Sequence, residues 1–270
     1  MEINGEQVIS KFRRTLLKCN CDKHGQFSVM WFVDKDGNPI GTPLCPKCKE
    51  EEDAKEREEM SRLYVQNLIK SSLLEADVPE DNIESRFSNY EATTDYMKEK
   101  LEVCKKFSSK NSIYPSCLCF LGKTGTGKTH LSISCLANSV IESIREHRQE
   151  DKIKYTRASE LMRDFKSIMN TKKGGTTENQ LMREYQSYDM LVIDELGRFL
   201  QGDYSLNIIQ EIIAYRLESN KKTILVLNGT FQDLKQIVGE HIISRLTEKG
   251  KSLKFDEEDY RKKDANVEKE

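Results

Sequence analysis

Short apolar runs alternate with amphipathic stretches from about residue 85 to the end of the chain. Residues 117–121 (CLCFL), 190–193 (MLVI) and 223–227 (TILVL) are almost wholly apolar, as expected for strands buried on both faces of a parallel sheet. Between the second and third runs, apolar residues recur at helical spacing, at Leu206, Ile209, Ile212, Ile213 and Leu217. Strands that alternate with helices predict an α/β domain built on a parallel sheet.

The first part of the chain has a different pattern. Residues 26–33 (QFSVMWFV) are rich in β-forming side chains, and the DKDGNP segment that follows is a strong turn signal, so we expect a strand hairpin here. Residues 49–75 begin with a dense run of charges, KEEEDAKEREEM, and then carry an apolar stripe at Met60, Leu63, Tyr64, Ile69 and Leu73. This pattern predicts a helix that leaves one folded body and reaches toward another.

Composition excludes several classes of protein. Lys and Arg number 43 and Asp and Glu number 45, which gives a formal net charge of −2. A chain this close to neutral is not a general nucleic-acid coat, so any contact with nucleic acid must be local. No apolar run approaches the ~18 residues of a membrane span, and the first residues, MEINGEQVISKF, do not resemble a secretory signal. We therefore expect a soluble, cytoplasmic protein with no membrane partner.

A phosphate-binding motif follows the first apolar run. Residues 122–129 (GKTGTGKT) match GxxxxGK[ST] between a strand and a helix over residues 130–143, which is the context that a P-loop requires and that a chance glycine loop would lack. The glycines let backbone N–H groups face a phosphate chain. We expect Lys128 to reach the β- and γ-phosphates of ATP and the Thr129 hydroxyl to bind Mg²⁺. The predicted nucleotide-binding residues are consecutive: Gly122, Lys123, Thr124, Gly125, Thr126, Gly127, Lys128, Thr129 and His130.

Acidic and amide side chains end the next two apolar runs. Asp194 is placed to hold Mg²⁺, directly or through water, and Glu195 is placed to polarise a water for attack on the γ-phosphate. Asn228, at the end of the following run, is expected to orient that water. The plainer interpretations are a solvated strand end for the acids and an Asn-Gly turn for Asn228. Two adjacent acids after a P-loop favour hydrolysis over nucleotide storage.

Several segments together resemble the AAA+ ATPases, and among them the DnaC and DnaI helicase loaders and the related transposition ATPase IstB. The segments are FLGKTGTGKTHLS, YDMLVIDELG, TILVLNGT, GEHIISRL and FDEEDYRKK, with RFSNYEATT ahead of them. The resemblance covers about residues 84–263. It implies a P-loop fold with a parallel sheet flanked by helices, ATP and Mg²⁺ as cofactors, ATP hydrolysis, and self-association through AAA+ interfaces.

The resemblance also implies roles for residues near the end of the chain. Asn228 would be sensor 1, Arg245 an arginine finger for the ATP of a neighbouring subunit, and Arg261 the sensor 2 arginine. Loaders often carry another arginine where this chain has His241. The stretch after Arg245 is too short for the helical lid domain of DnaA-type initiators and ClpX-type unfoldases, and no aromatic–apolar–Gly pore loop separates the P-loop from the acidic motif. We therefore expect the loader class, without a full lid domain, rather than a ClpX-like remodeller.

Candidate DNA contacts lie on both sides of the acidic motif. Residues 159–170 (SELMRDFKSIMN) occupy the position of the extra helix with which such proteins line a channel for single-stranded DNA. Arg163 and Lys166 are candidates for phosphate contacts, and Tyr204 is a candidate for stacking on a base. The plainer interpretation is a solvated helix face and a surface tyrosine.

Cysteine and histidine residues form two close pairs near the start of the chain, Cys21 with His24 and Cys45 with Cys48. Two such pairs on a hairpin supply the four ligands of a tetrahedral Zn²⁺ site, and so small a module can hardly bury a core of its own. Cys19 is an alternative to Cys21 or His24 as a ligand, and reduced cysteines without metal are the plainer interpretation. The remaining cysteines are expected in the core: Cys104, Cys117, Cys119 and Cys135.

The predicted organisation has four parts: a zinc-binding module (residues 1–48), a charged helix and linker (49–84), the AAA+ ATPase domain (85–263) and a flexible tail (264–270). The resemblance implies that the chain loads a hexameric DnaB-type replicative helicase onto single-stranded DNA and binds that helicase through the N-terminal module. The basic stretch over residues 11–23 is a possible nucleic-acid contact instead. The main alternative is an IstB-like ATPase that acts with a transposase on duplex DNA.

Overall fold

A computed structural model describes residues 13–109, 112, 115–149, 151–169, 176–197 and 202–257. The chain divides into two compact units, Met1–Tyr64 and Val65–Glu270. The division falls inside the first helix, α1 (Pro46–Glu75). Within the described ranges, no helix combines the length and the apolar character needed to cross a membrane.

The first unit contains an antiparallel hairpin of β1 (Arg13–Cys21) and β2 (Gly25–Val33). The tight turn between the strands covers residues 22–24. The DKDGNP segment forms a separate turn after β2, in which Asp34 Oδ1 accepts hydrogen bonds from the backbone amides of Asp36 (3.0 Å) and Asn38 (2.8 Å). The predicted strand and the DKDGNP turn are both present, but the strand forms its hairpin with the preceding strand β1, through residues 22–24, and not through the DKDGNP segment.

The apolar stripe on α1 divides into two groups. Met60, Leu63 and Tyr64 are 67%, 47% and 68% exposed, whereas Ile69 and Leu73 are buried in the core of the second unit. The first half of α1 therefore carries apolar side chains on its surface, and the second half packs as an ordinary amphipathic helix.

The second unit is built on a five-stranded parallel sheet with the order β4–β5–β6–β3–β7. The strands are β3 (Cys117–Gly122), β4 (Ile153–Arg157), β5 (Met190–Asp194), β6 (Lys222–Leu227) and β7 (Gly250–Phe255). The three apolar runs of the sequence form the three central strands, as predicted. The edge strands β4 and β7 are harder to recognise because part of each is exposed, which lets charged residues interrupt their sequences.

Helices cover both faces of the sheet. Two short 3₁₀ helices, Glu80–Asn82 and Phe87–Asn89, are followed by the α-helices α2 (Asp95–Ser108), α3 (Lys128–Arg145), α4 (Ala158–Met169), α5 (Glu178–Ser187), α6 (Asp203–Glu218), α7 (Phe231–Val238) and α8 (Glu240–Lys249). One core lies between the sheet and α4–α8, and the other between the sheet, α2, α3 and the end of α1. The cysteines predicted for the core are all buried there: Cys104, Cys117, Cys119 and Cys135.

A fully buried arginine joins two elements of this unit. Arg216 of α6 donates hydrogen bonds to the carbonyl oxygens of Tyr185 (3.0 Å), Tyr188 (2.8 Å) and Lys222 (2.7 Å), and to Thr223 Oγ1 (3.0 Å). Burial lowers the pKa of Arg216 to about 10, so the guanidinium stays charged at neutral pH. It thereby fastens the end of α5 to the start of β6.

Candidate nucleotide and metal sites

The P-loop between β3 and α3 is shaped by close backbone approaches at two glycines. Gly122 has φ +145°, and a Cβ there would meet the carbonyl oxygen of Phe255 at 2.0 Å. Gly127 has φ +85°, and a Cβ there would meet Tyr90 Cε2 at 2.9 Å. The Lys123 amide donates to the same Phe255 carbonyl (3.1 Å), which fastens the start of the loop to β7. Side chains at these glycines would therefore force the loop away from its neighbours.

Lys128 places its ammonium group inside the loop. Its Nζ donates to the carbonyl oxygens of Gly122 (3.1 Å) and Lys123 and to Thr126 Oγ1 (3.5 Å). Burial lowers the pKa of Lys128, while the nearby charge of Asp194 acts in the opposite direction. The cation is therefore held by neutral oxygen acceptors, which phosphate oxygens can replace.

Asp194 ends β5 directly beside the first turn of α3, and it is 4% exposed. Its Oδ2 accepts hydrogen bonds from Thr129 Oγ1 (2.8 Å) and from the Tyr155 hydroxyl (2.8 Å), and its Oδ1 accepts one from the Glu195 amide (2.6 Å). A hydroxyl and a carboxylate oxygen in contact are ligands that Mg²⁺ prefers. The residues present therefore fit the predicted metal, with Thr129 and Asp194 as its protein ligands.

Glu195 has an unusual backbone conformation for a non-glycine residue, with φ +54°. Such a conformation costs on the order of 1–3 kcal/mol and is found most often at functional sites. The chain is held here because the next residue, Leu196, donates from its amide to the Val226 carbonyl of β6 (2.9 Å). As a result Glu195 lines the same cavity as Asp194 and Asn228.

That cavity has a volume of about 400 Å³. Residues 124–130 of the P-loop line one side of it, together with Asp194, Glu195 and Asn228. Residues before the P-loop also line the cavity: Asn82, Asn89, Tyr90, Glu91 and Met97. Asn89, Tyr90 and Glu91 belong to the RFSNYEATT segment that the resemblance marked, whereas Asn82 and Met97 lie outside it. His130 anchors the RFSNYEATT segment, because its Nε2 lies 3.0 Å from the Arg86 carbonyl oxygen and its ring packs on Tyr90 at 5.6 Å.

Three of the predicted residues lie elsewhere. Gly122 and Lys123 do not line this cavity; they border a separate one of about 820 Å³, which Thr124 and Asn228 also line. Arg245 lies on α8, with its side chain 42% exposed and ion-paired to Glu218. Its predicted role toward the ATP of a neighbouring subunit stays a prediction. Arg261 lies outside the described residues.

The candidate DNA residues are divided between two helices. Arg163 and Lys166 are exposed on α4. Two helices, α4 and α5, join β4 to β5, which agrees with the extra helix expected from the resemblance. Tyr204 begins α6 and packs partly against the core, with its hydroxyl buried. A stacking role for Tyr204 would need its ring to leave that contact.

The four predicted zinc ligands come together in the first unit. The nearest ligand atoms of Cys21, His24, Cys45 and Cys48 all lie within 4.8 Å of one another. His24 Nδ1 is 3.8 Å from Cys21 Sγ, 3.7 Å from Cys45 Sγ and 3.3 Å from Cys48 Sγ, and the Cys21 and Cys48 sulfurs are 3.5 Å apart. Ligand atoms around a tetrahedral Zn²⁺ are spaced by about 3–4 Å. The cluster therefore fits Zn²⁺, and Cys19 is not part of it.

Glu51, on α1, supports this cluster and was not singled out in the sequence. Its Oε1 lies 3.1 Å from His24 Nε2, and its other oxygen pairs with Lys23. A zinc-binding histidine usually donates its second ring N–H to a carboxylate, which fixes the ring and the tautomer. Glu51 stands one helical turn after Cys48, a spacing that could have marked it.

Comparisons with known proteins agree on the second unit. A family model described as "IstB-like ATP binding protein" matches residues 85–267. The protein from Buchnera aphidicola subsp. Baizongia pistaciae named replicative helicase loader DnaC is 30% identical over 179 residues, which are 66% of this chain and 69% of that protein. The Escherichia coli K12 protein of the same name is 25% identical over 160 residues, 59% of this chain and 62% of that protein.

Two solved structures are similar in fold. A crystal structure of the DnaC helicase loader gives a TM-score of 0.54 at 21% identity and covers 66% of this chain and 99% of that one. A crystal structure of DnaI gives a TM-score of 0.52 at 18% sequence identity, and the match covers 67% of this chain and 93% of that one. These likenesses confirm the predicted P-loop sheet and its flanking helices.

Proposed function

Since the chain belongs to the IstB-like ATP-binding family of AAA+ ATPases, we propose that it is an ATP-dependent loader of a DnaB-type replicative helicase onto single-stranded DNA. The observation that carries this proposal is the 30% identity over 179 residues with a protein named replicative helicase loader DnaC. A loader acts where helicase and DNA meet, so we also propose a cytoplasmic location.

ATP would occupy the cavity that the P-loop and Tyr90 line. Lys128 would then pair with the β- and γ-phosphates, and Thr129 and Asp194 would hold Mg²⁺, which neutralises phosphate charge when bound. Glu195 and Asn228 line the cavity beside these ligands, which suits them to accept a proton from the attacking water and to orient it. Hydrolysis would provide the signal that releases the loader.

The first unit offers a surface for the helicase. Leu16, Met30 and Phe32 are 61%, 57% and 47% exposed, and they share one hairpin face because Leu16 pairs with Met30 and Arg14 with Phe32. The Arg14 guanidinium lies over the Phe32 ring at 4.7 Å, and Lys18 extends the same face. Apolar side chains bordered by cations suit an acidic, amphipathic segment of a protein partner. Zn²⁺ in the Cys/His cluster would hold the hairpin in shape.

Single-stranded DNA would contact α4 of several subunits. Arg163 and Lys166 supply local positive charge in a chain of net charge −2, and such charge is what phosphate binding requires. We include Tyr204 as a stacking residue, to be released from its packing when DNA binds.

The test is loading itself. The full-length chain is mixed with the DnaB-type helicase of the same cell, closed circular single-stranded DNA and ATP, and helicase bound to the circle is measured. We expect a stable complex with the helicase hexamer and ATP-dependent loading. Leu16→Ser with Met30→Ser should abolish the complex without changing ATP binding, whereas Asn20→Ala with Gln26→Ala, farther along the same face, should not. Capture of a transposase with no binding to the helicase would overturn the proposal.

Self-association is tested by mixing two inactive variants and measuring whether their mixed assemblies hydrolyse ATP. Arg245→Ala should bind ATP normally but lose hydrolysis stimulated by single-stranded DNA by about 10³-fold, because an arginine finger stabilises charge on a neighbour's γ-phosphate. Mixing it with Glu195→Gln should restore activity at interfaces where an intact Arg245 meets an intact Glu195. Glu218→Gln removes the ion pair of Arg245 and keeps the arginine, so it should remain active. Co-assembled mixtures that stay inactive would exclude a shared active site.

A further inference from the structure

Tyr155 contacts Asp194, and no sequence motif marked it. It lies on the edge strand β4, is 1% exposed, and donates its hydroxyl to Asp194 Oδ2 at 2.8 Å. Because Tyr155 pairs with Val192, Asp194 is its diagonal neighbour two residues farther along β5. Diagonal neighbours on one face of a sheet are within reach of an aromatic side chain.

The backbone of Tyr155 also forms a hydrogen bond that fixes its position. Its amide donates to the Ala76 carbonyl oxygen (2.8 Å) on the outer side of β4, and its ring packs in the core beside Ile153 and Val192. The hydroxyl donor is therefore positioned by contacts of both the backbone and the ring of Tyr155.

We propose that Tyr155 is a positioning residue for ATP hydrolysis, which holds the Asp194 carboxylate in the orientation that binds Mg²⁺. Asp194 Oδ2 is shared between Tyr155 and Thr129, and Thr129 is the residue whose hydroxyl is needed by the metal. When the threonine turns to the ion, Tyr155 keeps Oδ2 in place while the Glu195 amide keeps Oδ1. This inference rests on the ATPase activity and not on the helicase partner.

The chain provides a matched control. Tyr185 is also buried, and its hydroxyl donates to a carboxylate, Asp164 Oδ2 at 2.9 Å, but neither residue lines the nucleotide cavity. Tyr155→Phe and Tyr185→Phe thus each remove one hydrogen bond between a buried tyrosine hydroxyl and a carboxylate. Binding of a fluorescent ATP analogue and steady-state hydrolysis are each measured across a Mg²⁺ titration, and thermal unfolding is followed by circular dichroism.

We expect Tyr155→Phe to need about tenfold more Mg²⁺ for half-maximal nucleotide binding, as is typical when the partner of a metal ligand is lost. Nucleotide binding without Mg²⁺ should be unchanged, kcat should fall at limiting Mg²⁺, and Tyr185→Phe should match the wild type in both titrations. An unchanged Mg²⁺ midpoint in Tyr155→Phe, or an equal shift in both variants, would overturn the proposal. A failure of helicase loading leaves these measurements intact, because they use this chain alone.

Discussion

The two units keep their shapes by different means. Among residues 13–64, the side chains that are buried are Val33 and Cys45, whereas the second unit has a continuous core on each face of its sheet. Burial of apolar surface is the main source of folding free energy, and a hairpin with two buried side chains has little of it. A metal ion bound at the Cys/His cluster would supply the folding free energy that this unit lacks.

The same difference appears in how each unit builds a site. In the second unit, the candidate catalytic side chains Asp194, Glu195 and Asn228 lie at or just after the ends of parallel strands, and packing of the sheet places them. In the first unit, the ligands themselves join the hairpin to the start of α1. A metal can thus substitute for a core, but a packed sheet is needed to place several chemical groups around a cavity.

Removing two metal ligands should have the largest effect, because it should unfold the first unit and leave the second unit folded. Cys45→Ser with Cys48→Ser should release about one Zn²⁺ per chain and unfold the hairpin, because the thiolates contribute folding energy through the metal. Elemental analysis and amide hydrogen exchange measure both effects. The exchange pattern of the second unit and its ATP binding should stay as in the wild type. Carefully purified wild type that contains no zinc would refute the metal assignment.

A substitution at Glu195, in the second unit, should lower ATP hydrolysis and leave the zinc content of the first unit unchanged. Glu195→Gln should lower ATP hydrolysis by about 10²–10⁴-fold, because it removes the general base, and it should leave ATP binding intact, since Thr129 and Asp194 still hold Mg²⁺. Zinc content should be unaffected. Asp189→Asn, at the other end of β5, serves as the control and should hydrolyse ATP normally. Equal hydrolysis by Glu195→Gln and wild type would remove Glu195 from the mechanism.

Arg216 tests how far the second unit depends on its packed interior. Arg216→Met should destabilise it by about 3 kcal/mol, because several buried carbonyl oxygens lose their donor at roughly 1–3 kcal/mol each. Arg145→Ala, on the exposed side of α3, should cost about 0–1 kcal/mol. Denaturant unfolding followed by ATP-analogue binding reports on this unit. Equal stability of the two variants would mean that the Arg216 contacts do not hold α5 to β6.

The smallest effect is expected at Glu51. Glu51→Gln should weaken zinc binding by about tenfold, because the histidine ligand loses its carboxylate partner. Competition with a chromophoric chelator gives the affinity, and Glu52→Gln on the neighbouring position is the control. ATP hydrolysis should not change in either variant. If both variants bind zinc as the wild type does, Glu51 acts through Lys23 rather than through His24.

Much of the second unit was predictable because its central elements carry local signals. The strands β3, β5 and β6 are apolar throughout, since both their faces are buried, and the P-loop has a fixed spacing. The edge strands β4 and β7 lack such a signal, because charged residues interrupt them at positions that are not fully buried. Tyr155 was missed for that reason, although it touches Asp194.

The sequence by itself determined which residues are candidates for the chemistry of this protein: the glycines, Lys128 and Thr129 of the P-loop, Asp194 and Glu195 at the end of β5, and the two residue pairs of the Cys/His cluster. Residues with such roles are recognisable because their spacing along the chain is dictated by a phosphate or a metal ion. The tertiary structure alone decided that Tyr155 reaches Asp194, that Glu51 supports His24, and that Arg216 is buried. Each of these contacts joins segments that are distant in the sequence, and a local pattern of apolar and polar residues does not indicate which segments become neighbours.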